Sequence, residues 1–121
     1  MTLLFFLITE DFIWTLKGDQ TLLPTGGPHD SKFLLSFFSA PSLDNANFTI
    51  VDSVAEGDSV SIEAILTSTL KTGGALTSGL KTGGEYNNVY HFAFKLKGGK
   101  VRELREYLDT AYAIKAFFQS K

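Results

Sequence analysis

The chain has 121 residues, 44% of them hydrophobic and 20% charged, with a formal net charge of −2. That length suits a single domain, 1–121, burying roughly two-thirds of its unfolded surface around one core. Lysines and arginines are scattered and form no basic stripe, which argues against a nucleic-acid partner, and the lack of cysteine removes disulfides, thiolate zinc sites and thiol nucleophiles from consideration.

In chain order, the opening "MTLLFFLI" is too short to span a bilayer and lacks the cationic start and small-residue cleavage site of a signal peptide. It reads as the end of a core helix over 3–9, in a cytoplasmic protein with no membrane partner. A polar turn at 9–11 leads to a short strand, Phe12 to Leu16. Gly18, Pro24, Gly26, Gly27 and Pro28 mark a long loop. Asp30 or Ser31 then caps a short helix whose apolar face is Phe33, Leu34, Phe37 and Phe38, and Pro41 stops it.

Beyond "SLDNAN" the pattern turns to strands. Residues 48–55, a Glu56-Gly57-Asp58 turn and residues 59 to about 70 predict a hairpin. A strand over 85–97 carries Tyr86, Asn88, Tyr90, Phe92, Phe94 and Leu96 on one face, taken as inward, and Asn87, Val89, His91, Ala93 and Lys95 on the other. Gly98-Gly99-Lys100 turns the chain into a last strand, about 100–111, followed by the tail "AYAIKAFF". The sum is an α+β fold: a curved antiparallel sheet with helices on one side.

A repeat with a period of ten residues, "TSTLKTGG" at 67–74 and "TSGLKTGG" at 77–84, lies between two of these strands. Two complete reversals would leave the flanking strands parallel, so one Gly-Gly is expected to make the hairpin turn and the other copy to extend a rim loop. Neither Lys-Thr pair makes a phosphate-binding loop, because the glycines follow it and no helix opens there.

The run "EYNNVYHFAFKLKGGKVRELREYLDTAYA" (85–113) resembles the C-terminal half of SnoaL-like proteins, within the nuclear transport factor 2 and ketosteroid isomerase superfamily. "TEDFIW" (9–14) resembles the segment after that family's second helix, and "VAEGDSVSIEA" (54–64) its central hairpin. The resemblance implies a cone-shaped α+β barrel, a bent sheet wrapping helices around an apolar pocket, with the sheet's outer face forming a dimer. Family members start with a long helix and a short second one; here Met1 falls within the second, so against that pattern the N-terminus reads as shortened, with the first helix either absent or lying upstream of the given sequence. An uncovered apolar cone favours oligomerisation.

The resemblance also suggests chemistry. In the limonene-epoxide hydrolase branch a carboxylate at the end of the last long strand works with an Arg and an Asp on a neighbouring strand. Asp109 matches the first, but "SIEAILTS" (61–68) offers neither partner, and Glu63 there reads as a solvent or interface acid. Ketosteroid isomerases pair a general-base Asp with an oxyanion donor. Tyr90 falls at the donor position, whereas the loop after Trp14 carries only Asp19 and Asp30. SnoaL-type cyclases need one carboxylate in an apolar cup, which Asp109 would supply, with Tyr90 as its catalytic partner and Trp14, Tyr86, Asn88, Phe92, Phe94 and Tyr107 as ligand-binding residues. Facing Phe92, Phe94 and Trp14, that carboxyl would lose hydration and titrate high.

His91 shares a face with Val89 and Ala93 and reads as an interface residue, Arg105 as part of a surface ion pair. The two histidines are distant from each other, with no clustered acids, so no metal site is expected, and the sequence calls for no cofactor. Two functions stand: a pocket protein for a small apolar or polycyclic molecule, catalysing isomerisation, cyclisation or hydrolysis through Asp109, or a non-catalytic binding or oligomerisation module, a homodimer through its outer sheet face.

Overall fold

The computed structural model describes residues 6–80 and 83–119. Strands β1 (Ile8–Leu16), β2 (Gly27–His29), β3 (Leu43–Glu56), β4 (Ser59–Leu70), β5 (Asn88–Lys97) and β6 (Lys100–Leu108) form one sheet in the order β2-β1-β6-β5-β4-β3. Helix α1 (Ser31–Ser39) follows β2, and α2 (Thr110–Ile114) runs into a π-helical turn at Lys115–Gln119. Together these elements make an α+β unit.

The sheet is mixed rather than purely antiparallel. β3 to β6 form a meander joined by reversals, and β6 returns beside β1, running parallel to it. The connection through β2 and α1 makes this possible: it carries the chain from β1 to the far edge, so β6 ends up beside a strand laid down much earlier. Register shifts interrupt the β1–β6, β3–β4 and β5–β6 pairs. Bulges of this kind bend a sheet and sharpen its twist, and here they curl it around the helices.

Apolar alternation fixes the inward face. On β1, Ile8, Phe12, Trp14 and Leu16 are all buried and pack with Phe33, Leu34 and Phe37 of α1. The Trp14 ring lies 5.4 Å from Phe37 and 6.0 Å from Phe33, centroid to centroid. Asp30 caps α1, its Oδ1 accepting from the Phe33 amide at 3.0 Å, which satisfies one of the free donors of the first turn. A second cluster joins Leu23, Leu66, Tyr86, Ala113 and Phe117.

Several boundaries differ from the sequence reading. Of the helix expected over 3–9, residues 3–5 lie outside the described part; Phe6 and Leu7 form a turn, and Ile8 and Thr9 already belong to β1. The strand begins early because Ile8 pairs with Val101 and the Val101 amide donates to the Leu7 carbonyl at 2.8 Å. β6 stops at Leu108, not 111, because Asp109 caps α2. β3 reaches back to Leu43.

The duplicated segment also departs from expectation. Neither Gly-Gly pair makes a tight hairpin; Gly73-Gly74 and Gly83-Gly84 both lie between the end of β4 and the start of β5. "TSTL" of the first copy finishes β4, whereas "TSGL" of the second is a turn. The differing position is Thr69 in one copy and Gly79 in the other. A β-branched residue favours a strand there, and a glycine favours departure from it.

Candidate functional site

The curled sheet and the two helices surround a cavity of about 390 Å³ that is partly open to solvent. Its wall comes from every layer: Trp14 and Leu16 from β1, Leu34, Phe37 and Phe38 from α1, Phe48 and Leu66 from the β3–β4 hairpin, Tyr90 and Phe92 from β5, Leu104, Glu106 and Leu108 from β6, and Phe117 and Phe118 from the C-terminal turn. The lining is overwhelmingly apolar, and among the described residues Glu106 is its one acidic side chain. Such a cup, largely apolar with a few placed polar groups, is the usual form of a small-molecule site.

Glu106 is set by register. It lies opposite Phe92 on one side and Leu16 on the other, in the middle of the sheet. These apolar neighbours strip its hydration, and burial pushes the Glu106 carboxyl up to about 7; the Trp14 indole pulls partly in the opposite direction. The ionised form is disfavoured because little around it can replace water. Trp14 Nε1 itself is buried and, among the described residues, makes no full hydrogen bond, an expensive condition for a donor unless a ligand or an ionised Glu106 engages it.

Tyr90 is the diagonal neighbour of Glu106 on the same face, since it pairs with Leu108 while Phe92 pairs with Glu106. Its hydroxyl lies 3.0 Å from that of Tyr86, and either can donate. Asn88 steadies the pair: its Nδ2 donates to the Tyr86 hydroxyl at 2.8 Å and to the Asp109 carbonyl at 3.1 Å. Burial raises both tyrosine pKa values, with the Tyr86 charge adding to the shift of Tyr90. Both hydroxyls therefore stay protonated near neutrality and serve as hydrogen-bond donors rather than bases.

Of the residues singled out in the sequence, Trp14, Tyr86, Tyr90 and Phe92 meet at the cavity wall. Asn88 is buried behind Tyr86 and acts through it. Phe94 is half-buried against Phe92, outside the lining. Tyr107 is 42% exposed and pairs with His91 across β5 and β6 on the outer face, where the Lys17 ammonium sits 5.8 Å above its ring.

Asp109 is exposed and outside the lining; its Oδ1 accepts from the Tyr112 amide at 3.1 Å as the α2 cap. The structure therefore corrects its expected place in the pocket. The physical reason is local: at the first residue after β6, an Asp side chain finds the free amides of a helix start closer than the sheet interior.

Glu106 escaped the sequence reading because of a bulge. With Lys97 opposite Lys100, an unbroken ladder would set Tyr90 against Tyr107 and Phe92 against Arg105. Instead Leu96 pairs with Val101 and Lys95 with Glu103, leaving Arg102 as the extra residue. One added residue flips every side chain beyond it to the opposite face. The alternation Leu104, Glu106, Leu108 was the available signal. Arg105, now outward, pairs with Glu103, and His91 lies exposed opposite Glu63 and Tyr107. The His29 ring stacks on Phe33 with centroids 3.8 Å apart. Among the described residues, no group of three or more His, Cys, Asp or Glu is arranged to hold a metal ion.

No protein-family model matches the chain, and comparison with curated proteins finds no match. Solved structures do match in shape. A protein assigned as a SnoaL-like polyketide cyclase from Jannaschia sp. CCS1 superposes with a TM-score of 0.68 at 18% identity, over 92% of this chain and 73% of that one. A ketosteroid isomerase-like protein from Catenulispora acidiphila, solved with trimethylamine, gives 0.59 at 16% identity, over 95% and 76%. TerC, co-crystallised with polyporic acid, gives 0.65 at 14%, over 91% and 79%.

The chain has the nuclear transport factor 2-like fold. Within that fold the cavity described above occupies the cone between sheet and helices. Identities this low establish the architecture and leave the chemistry to be argued from the residues themselves.

Proposed function

We propose that this nuclear transport factor 2-like chain binds a small apolar, ring-bearing molecule in the cone and acts on it by proton transfer through Glu106. Tyr90 serves as donor to an oxygen of the ligand, and Trp14 as donor to the Glu106 carboxylate. The observation that carries the proposal is the placement of one carboxyl group in an apolar cavity, with its pKa raised to about 7. A group poised there at neutral pH can both take and return a proton, which is the condition for general acid/base catalysis. Tyr90 can turn its O–H toward a developing oxyanion while accepting from Tyr86, and the unpaired Trp14 N–H can support the ionised carboxylate.

Isomerisation, cyclisation and hydrolysis are the reaction classes such a constellation serves. Asp109, the sequence-based candidate, is left with a capping role. Structural neighbours that hold trimethylamine and polyporic acid support small-molecule binding in general terms. A cytoplasmic setting and self-association through the outer sheet face complete the proposal. The latter is supported by Ile65 and Val89, paired across β4 and β5 and both exposed, and sedimentation at micromolar concentration tests it: a dimer is expected, and a monomer refutes it.

The catalytic reading can be tested without the natural substrate. Kemp elimination of 5-nitrobenzisoxazole is a single deprotonation that reports any carboxylate base in an apolar pocket. Wild type is expected to accelerate it well beyond acetate, with a rate that rises through about pH 7, and Glu106→Gln to abolish the acceleration. A wild-type rate no better than acetate at pH 8 contradicts the proposal and leaves a non-catalytic binding module.

A further inference from the structure

The duplicated segment touches the cavity. Its likeness extends one residue beyond the obvious repeat: "LTSTLKTGG" at 66–74 and "LTSGLKTGG" at 76–84. The two leading leucines, Leu66 and Leu76, both line the cavity. Leu66 comes from β4 and is 1% exposed. Leu76 comes from the loop and packs against the same cluster of Leu66, Tyr86 and Phe117. The repeat has thus supplied a pocket-lining leucine twice, once from a strand and once from a turn.

The loop bearing Leu76 is built, not draped. Thr77 is fully buried; its hydroxyl donates to the Lys71 carbonyl and accepts from the Gly74 amide at 2.9 Å. The Leu76 amide donates to Ser42 Oγ at 2.8 Å, and the Ala75 amide to the Ala40 carbonyl at 2.8 Å. These bonds tie the loop to the segment leaving α1, so the wall carrying Phe37 and Phe38 and the wall carrying Leu76 are fixed to each other. Gly74 permits the approach, because any side chain there would strike the Pro41 carbonyl.

Removing one period would also leave a closure that strands accept. The Leu70 amide bonds the Gly84 carbonyl at 2.6 Å, and Thr69 bridges Glu85. Deleting 75–84 puts Gly74 in the place of Gly84, joining Leu70 to it through Lys71-Thr72-Gly73. A three-residue hairpin loop with a positive-φ glycine at its end is a standard connection, and Gly73 already has φ +85°. The sheet does not need the second copy; the cavity wall does.

We infer that the second copy of the repeat is a pocket-wall insert, and that Leu76 is a specificity-determining residue that limits the size of the ligand. This rests on the reading of the cavity as a ligand site. One added or missing methylene in an apolar pocket changes preference roughly 10- to 200-fold, so truncating the isobutyl group of Leu76 to a methyl should be easily seen.

The test uses N-phenyl-1-naphthylamine as a neutral fluorescent probe, displaced by 2-naphthol or by the larger 2-anthrol. Four chains are compared: wild type, Leu76→Ala, Leu76→Trp and a chain lacking 75–84. Relative to wild type, Leu76→Ala and the deletion should favour the three-ring over the two-ring competitor by roughly tenfold, and Leu76→Trp should weaken both. Should the deletion not fold, the two Leu76 substitutions decide the matter. A folded Leu76→Ala chain that keeps the wild-type ratio within about twofold, or a folded Leu76→Trp chain that binds both competitors as wild type does, overturns the inference while leaving the pocket intact. A wild type that binds no probe overturns the ligand-site reading, and this inference with it.

Discussion

Replacing Glu106 with glutamine should stabilise the protein at alkaline pH. The carboxyl titrates at about 7 in the fold against an ordinary value of 4.5, so between those values the folded chain holds more of the proton than the unfolded chain does. Stability from this group is therefore fully present below about pH 4.5 and is lost as pH rises through 7. The full difference, 7 − 4.5 or about 2.5 units at 1.36 kcal/mol each, is about 3 kcal/mol. Glu106 is only half-buried and solvent reaches it through the cavity, so roughly 1–3 kcal/mol is expected.

A glutamine side chain at this position would keep the shape without the charge and so would escape this loss. For a chain of this length, 1 kcal/mol corresponds to roughly 3–5 °C in Tm. Scanning calorimetry of both proteins from pH 4.5 to 8.5 should show near-coincident Tm values at the acid end and a gap opening in favour of Glu106→Gln above pH 7. A gap independent of pH would refute the reasoning, since it would mean that Glu106 titrates alike in the folded and unfolded states.

Asp109→Ala should cost about 1 kcal/mol, the usual worth of a helix N-cap, and should leave the Kemp elimination rate within about twofold of wild type; a large rate loss with the fold intact would restore Asp109 to the chemistry. Gly74→Ala forces a methyl group against the Pro41 carbonyl and should lower stability by about 1–3 kcal/mol, as overpacking does, measured by urea titration. An unchanged midpoint would show that the loop is not held against the α1–β3 segment.

Much of the architecture was legible because it follows from local rules. Asp30 announces the start of α1, Gly57-Asp58 the β3–β4 turn, and alternation from Tyr86 to Phe92 the inward face of β5; each depends on neighbouring residues alone. The parallel β1–β6 pair was not legible, since it arises from the long connection through α1 and no residue in either strand encodes it. The site was half legible for the same reason. Trp14, Tyr86, Tyr90 and Phe92 lie before the bulge at Arg102, where alternation still holds. Beyond it the phase flips, exchanging Tyr107 for Glu106, and nothing in "GGKVRELREYLD" marks the extra residue except the apolar spacing of Leu104 and Leu108. The duplicated loop failed as a hairpin because near-identical stretches need not share a structure when only one of them is paired in a sheet.

The proposed chemistry turns on the ionisation of one side chain. Carbon-detected NMR of protein labelled at the glutamate carboxyl carbons, with Glu106 assigned from its glutamine variant, follows that group directly. A midpoint near 7 is predicted. A midpoint near 4.5, the ordinary value for a solvated glutamate, would place the carboxyl in water and contradict the reading of the cavity as a site for proton transfer.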